Sequence, residues 1–95
     1  MVDENIINIV REAMQGSPEA FSKLVEVFTP MLRSIARCYL NEYFDIEDVL
    51  QDVWIKIYTN LDTLREPEKF KSWIAKIMRY HCIKACKTQR AIHGR

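Results

Sequence analysis

Glycine and proline are scarce in this chain of 95 residues, which has only two glycines and three prolines. Turn-rich β structure depends on these residues, so their scarcity leaves little room for a sandwich or barrel. Apolar residues make up 48% of the chain and recur at helical spacing, which predicts an all-α fold. The length fits one domain. We expect a compact bundle of three to four helices at about residues 3–14, 18–41, 46–60 and 67–88.

The chain also lacks a long apolar run and a signal-peptide pattern at its start, which argues against a membrane partner. Its three cysteines, Cys38, Cys82 and Cys86, are an odd number without framework spacing, which fits a reducing compartment. We therefore expect a cytoplasmic protein.

No catalytic constellation is recognisable, because the serines lack a plausible base and no glycine-rich phosphate loop is present. His81, Cys82 and Cys86 invite a metal interpretation. However, His81 and Cys82 are adjacent, about 100° apart on a helix, and zinc sites usually show four ligands in paired spacing. A core histidine and small buried thiols are the preferred interpretation. We expect a non-enzyme with no metal or other cofactor.

Proline and the capping residues set the expected helix boundaries. Ser17 and Asp45 are good N-caps, and Pro67 is suited to open the last helix. Pro30 falls inside the second helix, where a proline costs about 3 kcal/mol or more. We expect a kink or a break near residues 27–30, and we expect residues 91–95 to fray.

Charge divides the chain into two unlike parts. Residues 1–52 carry four basic and ten acidic side chains, a net charge of −6, whereas residues 53–95 carry ten basic and three acidic ones, a net charge of +7. Such asymmetry suggests two kinds of partner. The basic part could meet nucleic acid, and the acidic part could meet a basic protein surface.

The helix that begins after Asp45 has one apolar arc and one polar arc. The polar arc carries Asp48, Gln51 and Asp52, and it also carries Ile55. An acidic docking surface with an apolar centre would use such an isoleucine. A surface helix with one stray isoleucine is equally compatible with the periodicity, because single exposed apolar residues are common.

The last helix has a basic face that contains an aromatic residue. This face includes Lys69, Lys76, Arg79, Tyr80, Lys84, Lys87 and Arg90. Cations can follow a phosphate backbone while an aromatic ring stacks on an unpaired base, which suits single-stranded or melted nucleic acid. The alternative is a solvated lysine face whose tyrosine lies across neighbouring stems.

Two stretches together resemble a known family. Asp-Ile-Glu-Asp-Val-Leu-Gln-Asp-Val-Trp at 45–54 resembles the acidic helix of conserved region 2 in bacterial sigma factors, where the extracytoplasmic-function (ECF) branch usually has Asp-Ala-Glu-Asp-Leu-Val-Gln-Glu-Val-Phe. Phe-Lys-Ser-Trp-Ile-Ala-Lys-Ile-Met-Arg at 70–79 is similar to that branch's Phe-Arg-Ala-Trp-Leu-Tyr-Arg-Ile-Ala-Arg. The resemblance covers about residues 18–90.

The resemblance implies a domain that binds RNA polymerase core and promoter DNA. Asp48, Gln51, Asp52 and Ile55 would dock on the clamp helices of the β′ subunit. The loop 61–66 and the last helix would capture the melted non-template strand of the minus-ten element, with the loop holding a flipped base. The implied DNA-binding residues are Arg65, Lys76, Arg79, Lys84 and Lys87, to which we add Tyr80 as a stacking residue. An anti-sigma factor is a further candidate partner.

The chain departs from the family pattern in two places. Tyr80 stands where the family usually has asparagine, near the captured base, so the base that is read stays open. A complete family member also carries a domain for the minus-35 element, which is absent from residues 1–95. The chain is then either a fragment of a longer sigma factor or a short sigma-like subunit that needs a separate partner. We favour the fragment because residues 91–95 stop without a terminating feature. A helical protein-interaction adaptor that binds no nucleic acid is the alternative from another class.

Overall fold

Four α-helices, joined by short connections, make up the described part of the chain. The computed structural model describes residues 3–41 and 44–93, with side chains as far as Lys87. The α-helices are α1 (Glu4–Met14), α2 (Pro18–Tyr39), α3 (Ile46–Thr59) and α4 (Phe70–His93), and two 3-10 turns lie between α3 and α4 at Leu61–Thr63 and Pro67–Lys69. The predicted all-α bundle is confirmed. None of the helices in the described part of the chain combines the length and apolar character needed to cross a bilayer.

Side-chain caps begin the first three helices. The Asp3 carboxylate accepts a hydrogen bond from the Asn5 amide at 3.2 Å, and the Ser17 hydroxyl accepts one from the Ala20 amide at 3.1 Å. Asp45 Oδ1 accepts one from the Glu47 amide at 3.1 Å. Each cap satisfies an amide that has no partner inside its helix. The predicted caps at Ser17 and Asp45 are therefore present.

The α1–α2 turn depends on Gly16, whose φ of 103° lies in a region that L side chains avoid.

Helix α2 continues through Pro30 without interruption. A kink or a break was expected here, and the break does not occur. The buried side chains Leu24, Phe28, Leu32 and Ala36 follow at four-residue spacing on both sides of the proline. This stripe faces the core along the whole helix, and Pro30 itself is exposed. Burial of the stripe therefore outweighs the hydrogen bond that proline removes.

The boundaries of the last helix differ from the expected 67–88. Pro67 opens a 3-10 turn, and the α-helix begins at Phe70. The helix then continues to His93, so residues 91–93, which were expected to fray, are helical. No glycine or proline lies between Phe70 and Gly94, so the sequence contains no helix-breaking residue in this stretch. Residues 94 and 95 lie outside the described residues.

The core is built where the four helices meet. Its largest fully buried side chains are Phe70, Leu24, Leu32, Ile57, Ile74, Met78, Val10, Val53 and Cys82. The Phe70 ring lies 5.5 Å from the Phe28 ring and 6.1 Å from the Trp73 ring, centroid to centroid. Trp54 Nε1 donates a hydrogen bond to Thr29 Oγ1 at 3.0 Å, so its one polar atom is satisfied.

The side chains of the suspected metal cluster have different environments. His81 is only half-buried and lines an open groove, so the interpretation as a core histidine is wrong. Its position lies at the border of the buried stripe of α4. Cys82 is fully buried, whereas Cys86 is half-buried and its Sγ lies 3.0 Å from the Tyr39 carbonyl oxygen.

The thiol of Cys82 should resist alkylation in the native protein. Burial, with a smaller effect of the neighbouring Cys86, raises the pKa of the Cys82 thiol, and the thiolate is the reactive form. Iodoacetamide at mildly alkaline pH, followed by peptide mass mapping, should modify the exposed Cys38 well before Cys82. In urea both should react at similar rates. Equal rates in the native protein would contradict the burial of Cys82.

Candidate functional site

The polar side of α3 forms an acidic face with an apolar centre. Asp48, Gln51, Asp52 and Ile55 are all exposed, and we call these four residues the acidic face. Ile55 is 58% exposed. The opposite side of α3 buries Leu50, Val53, Trp54 and Ile57 in the core, so the orientation of the face is fixed by packing.

An ion pair between α2 and α3 holds the first turn of α3. Arg33 Nε and Nη2 donate to the two carboxylate oxygens of Glu47, each at 3.0 Å. The hydrogen bond from Arg33 is the largest cause that holds the pKa of the Glu47 carboxyl below its usual range. Since the folded state lowers this pKa, the ion pair stabilises the fold above the ordinary pKa of glutamate and loses its effect as the pH falls through the lowered value. Both side chains are accessible to water, so the effect is small.

Tyr58 adjoins the acidic face and was missed by the sequence analysis. It is 61% exposed, and its ring meets the half-buried Phe21 edge to face with 5.0 Å between centroids. Tyr58 follows Ile55 by three residues and Gln51 by seven, which places it beside them on the helix. Its helical spacing was the signal that could have found it.

An open groove lies between α3 and α4. It has a volume of about 830 Å³ and is lined by Phe44, Lys56, Asn60, Thr63, Trp73, Lys76, Ile77, Tyr80, His81, Lys84 and Ala85. We call it the α3–α4 groove. Tyr80 is 64% exposed, and Lys84 Nζ lies 5.7 Å from the centre of its ring. The groove therefore combines apolar and aromatic surface with three lysines, which could hold a base and its phosphates.

A smaller pocket of about 210 Å³ adjoins the groove at the α3–α4 connection. Its lining consists of Thr63, Leu64, Arg65, Glu66, Lys69, Ser72, Trp73 and Lys76. We call it the loop pocket. Thr63, Trp73 and Lys76 line both the groove and the loop pocket, so the two cavities are neighbours that share a wall.

The structure divides the predicted DNA-binding residues into groups. Lys76, Tyr80 and Lys84 line the groove, and Arg65 lines the loop pocket together with Lys76. Arg79 instead lines a separate depression of about 420 Å³ on the α2 side of α4, because one residue turns the helix by 100°.

Lys87 is exposed but is not among the residues that line either cavity. Phe44, Asn60 and His81 also line the groove, which was not predicted from the sequence. They reach the groove through tertiary packing and share no local motif.

These features define an all-α binding domain with two unlike surfaces. One is an exposed helix face of acids, an amide and an isoleucine, and the other is a basic groove with an aromatic wall. Within residues 3–41 and 44–93, no group of three or more His, Cys, Asp or Glu side chains is placed to hold a metal ion.

The chain belongs to the family described as Sigma-70 region 2, which matches residues 24–92. It is 24% identical to the ECF RNA polymerase sigma factor SigW of Bacillus subtilis over 68 residues, which is 72% of this chain and 36% of SigW. It is 30% identical over 69 residues to RNA polymerase sigma factor NccH of Alcaligenes xylosoxydans xylosoxydans, covering 73% of this chain and 37% of NccH. The ECF sigma-E factor of Escherichia coli K12 is likewise 30% identical over 69 residues, with 73% and 36% covered.

The chain thus spans little more than a third of the length of these relatives. The prediction of a region 2 domain of the ECF branch is confirmed. It is an RNA polymerase sigma factor domain.

Proposed function

We propose that this domain binds the β′ clamp helices of RNA polymerase through the acidic face and captures the melted minus-ten element of a promoter through the α3–α4 groove and the loop pocket. The observation that supports this most strongly is the pair of surfaces on one helix. Ile55 lies exposed among Asp48, Gln51 and Asp52, while Lys56 in the last turn of α3 and Asn60 directly after the helix line the groove. One short helix thereby links a protein contact to a nucleic-acid contact.

The acidic face suits a basic coiled coil. Its carboxylates would steer a positively charged partner and fix its register. The exposed Ile55 offers an apolar contact that could be desolvated at the centre of the interface. An anti-sigma factor that covered these same surfaces would compete with both partners.

The groove suits an unpaired strand better than a duplex. The Tyr80 ring offers a stacking surface, and Lys76 and Lys84, each four residues from it, lie on the same side of α4. Lys56 adds a cation from α3, on the opposite wall. A base that is paired and stacked in a duplex cannot use the ring, so binding should favour melted DNA.

Replacing Tyr80 by alanine should weaken the binding of single-stranded minus-ten DNA by about 1–3 kcal/mol, which is the usual contribution of one stacked base. Fluorescence anisotropy with a labelled oligonucleotide would measure the change. Tyr80→Phe keeps the ring and is the matched control, and it should bind within about twofold of the parent chain.

Duplex DNA of the same sequence should bind more weakly than the single strand and should respond little to either variant. If the duplex bound as tightly as the single strand, or if Tyr80→Ala changed nothing, the stacking role of Tyr80 would be wrong.

A further inference from the structure

We infer that Glu66 makes the loop pocket selective for a base with an exocyclic amino group, so that cytosine is bound in preference to thymine or uracil. This inference rests on the proposed function and adds the chemical identity of the captured base. The loop pocket has a volume of about 210 Å³, and Glu66 is the one carboxylate among the residues that line it.

The hydroxyl groups of the pocket add to its acceptor character. Thr63 Oγ1 donates its hydrogen to the Asn60 carbonyl at 2.7 Å, and Ser72 Oγ donates its hydrogen to the Lys69 carbonyl at 3.1 Å. A hydroxyl has one hydrogen and two lone pairs. With the hydrogens engaged by backbone carbonyls, both oxygens present lone pairs to a ligand.

The Glu66 carboxylate remains available for a base. Its nearest cation is Lys69, whose Nζ lies 3.9 Å from Oε1, beyond hydrogen-bond distance. Both side chains are mostly exposed, so the pair can rearrange at little cost when a base enters.

The cations of the pocket are placed to contact phosphates and do not distinguish one base from another. Arg65, Lys69 and Lys76 offer donors only. They can neutralise the phosphates on either side of the captured nucleotide, and these contacts are indifferent to the base. Discrimination therefore falls to the acceptors.

The acceptors of the pocket can distinguish the pyrimidines at the C4 and N3 positions. Cytosine presents an N4 amino donor, which glutamate and aspartate accept in base recognition. Thymine and uracil present the O4 acceptor at the same position. Their one donor on this edge is the N3–H, which lies between two carbonyl oxygens that repel the Glu66 carboxylate. Glutamine in place of glutamate would offer both a donor and an acceptor, so it would pair with either base.

Oligodeoxycytidine and oligodeoxyuridine of equal length test the inference, because their bases differ only at C4 and the adjacent N3, and no binding register need be known. At mildly alkaline pH the parent chain should bind oligodeoxycytidine at least about fivefold more tightly. Glu66→Gln should reduce the ratio to within about twofold. The matched control is Glu68→Gln, which removes the same charge from an exposed residue lining the depression near Arg79 and not the loop pocket. This control should keep the parent ratio.

The outcomes separate this inference from the proposed function. If both oligonucleotides bind, respond to Tyr80→Ala and show no preference, or if Glu66→Gln retains the parent ratio, the selectivity of Glu66 is wrong and the proposed function stands. If neither oligonucleotide binds, or if binding is unaffected by Tyr80→Ala, the groove does not capture a strand and both fail.

Discussion

Replacing Phe70 by alanine should lower the free energy of unfolding by about 3–5 kcal/mol, the usual loss for a buried phenylalanine. Phe70 is 1% exposed and begins α4. Its ring meets Phe28 of α2 and Trp73 of α4, so its removal leaves a cavity at the α2–α4 contact. Small domains have roughly 5–15 kcal/mol of stability in total. Urea unfolding followed by circular dichroism should therefore have its midpoint at a much lower urea concentration.

Tyr80→Ala provides the comparison for this experiment. Tyr80 is an aromatic residue on the same helix but is 64% exposed, so its loss should change the free energy of unfolding by no more than about 0.5 kcal/mol. A Phe70→Ala variant that unfolded at the same urea concentration as Tyr80→Ala would show that Phe70 does not anchor the bundle.

Asp52→Lys should weaken binding to a β′ clamp-helix fragment by about 2–5 kcal/mol, a loss of roughly 30-fold or more. The substitution places a cation on the acidic face beside Ile55, where the proposed partner is also cationic. Like charges at an interface repel, and the free energy lost exceeds that of a missing contact. Surface plasmon resonance with the immobilised fragment would measure the affinity at several salt concentrations.

Glu12→Lys is the matched control, because it makes the same change in net charge at an exposed position on α1. It should lower the affinity far less than Asp52→Lys does. Its effect should come mainly from a weaker long-range attraction to the partner, which salt screens. If both variants lost the same affinity, or if neither did, the acidic face would not be the docking surface.

The helices and the acidic face were predictable because their signals are local. Caps at Ser17 and Asp45 and the 3.6-residue periodicity act within one helix. The exposure of Ile55 follows from the same periodicity, once the buried side of α3 is known. The continuity of α2 was less predictable, because the local preference of Pro30 is overridden by burial of side chains on both sides of it.

The groove could be predicted only in part. Lys76, Tyr80 and Lys84 share a helix face, so the sequence grouped them correctly. The opposite wall comes from α3 and its connections, and the contribution of Phe44 or Asn60 depends on how α3 packs against α4. Arg79 lies outside the groove because it is turned 100° from Tyr80, towards α2.

Trp73 gives the domain a built-in optical reporter. Its indole contacts the buried Phe70 on one side and belongs to the wall shared by the groove and the loop pocket on the other. The other tryptophan, Trp54, is only 9% exposed, and its ring nitrogen donates a hydrogen bond to Thr29. The fluorescence of Trp73 should therefore change when a ligand occupies either cavity, whereas the fluorescence of Trp54 should stay constant.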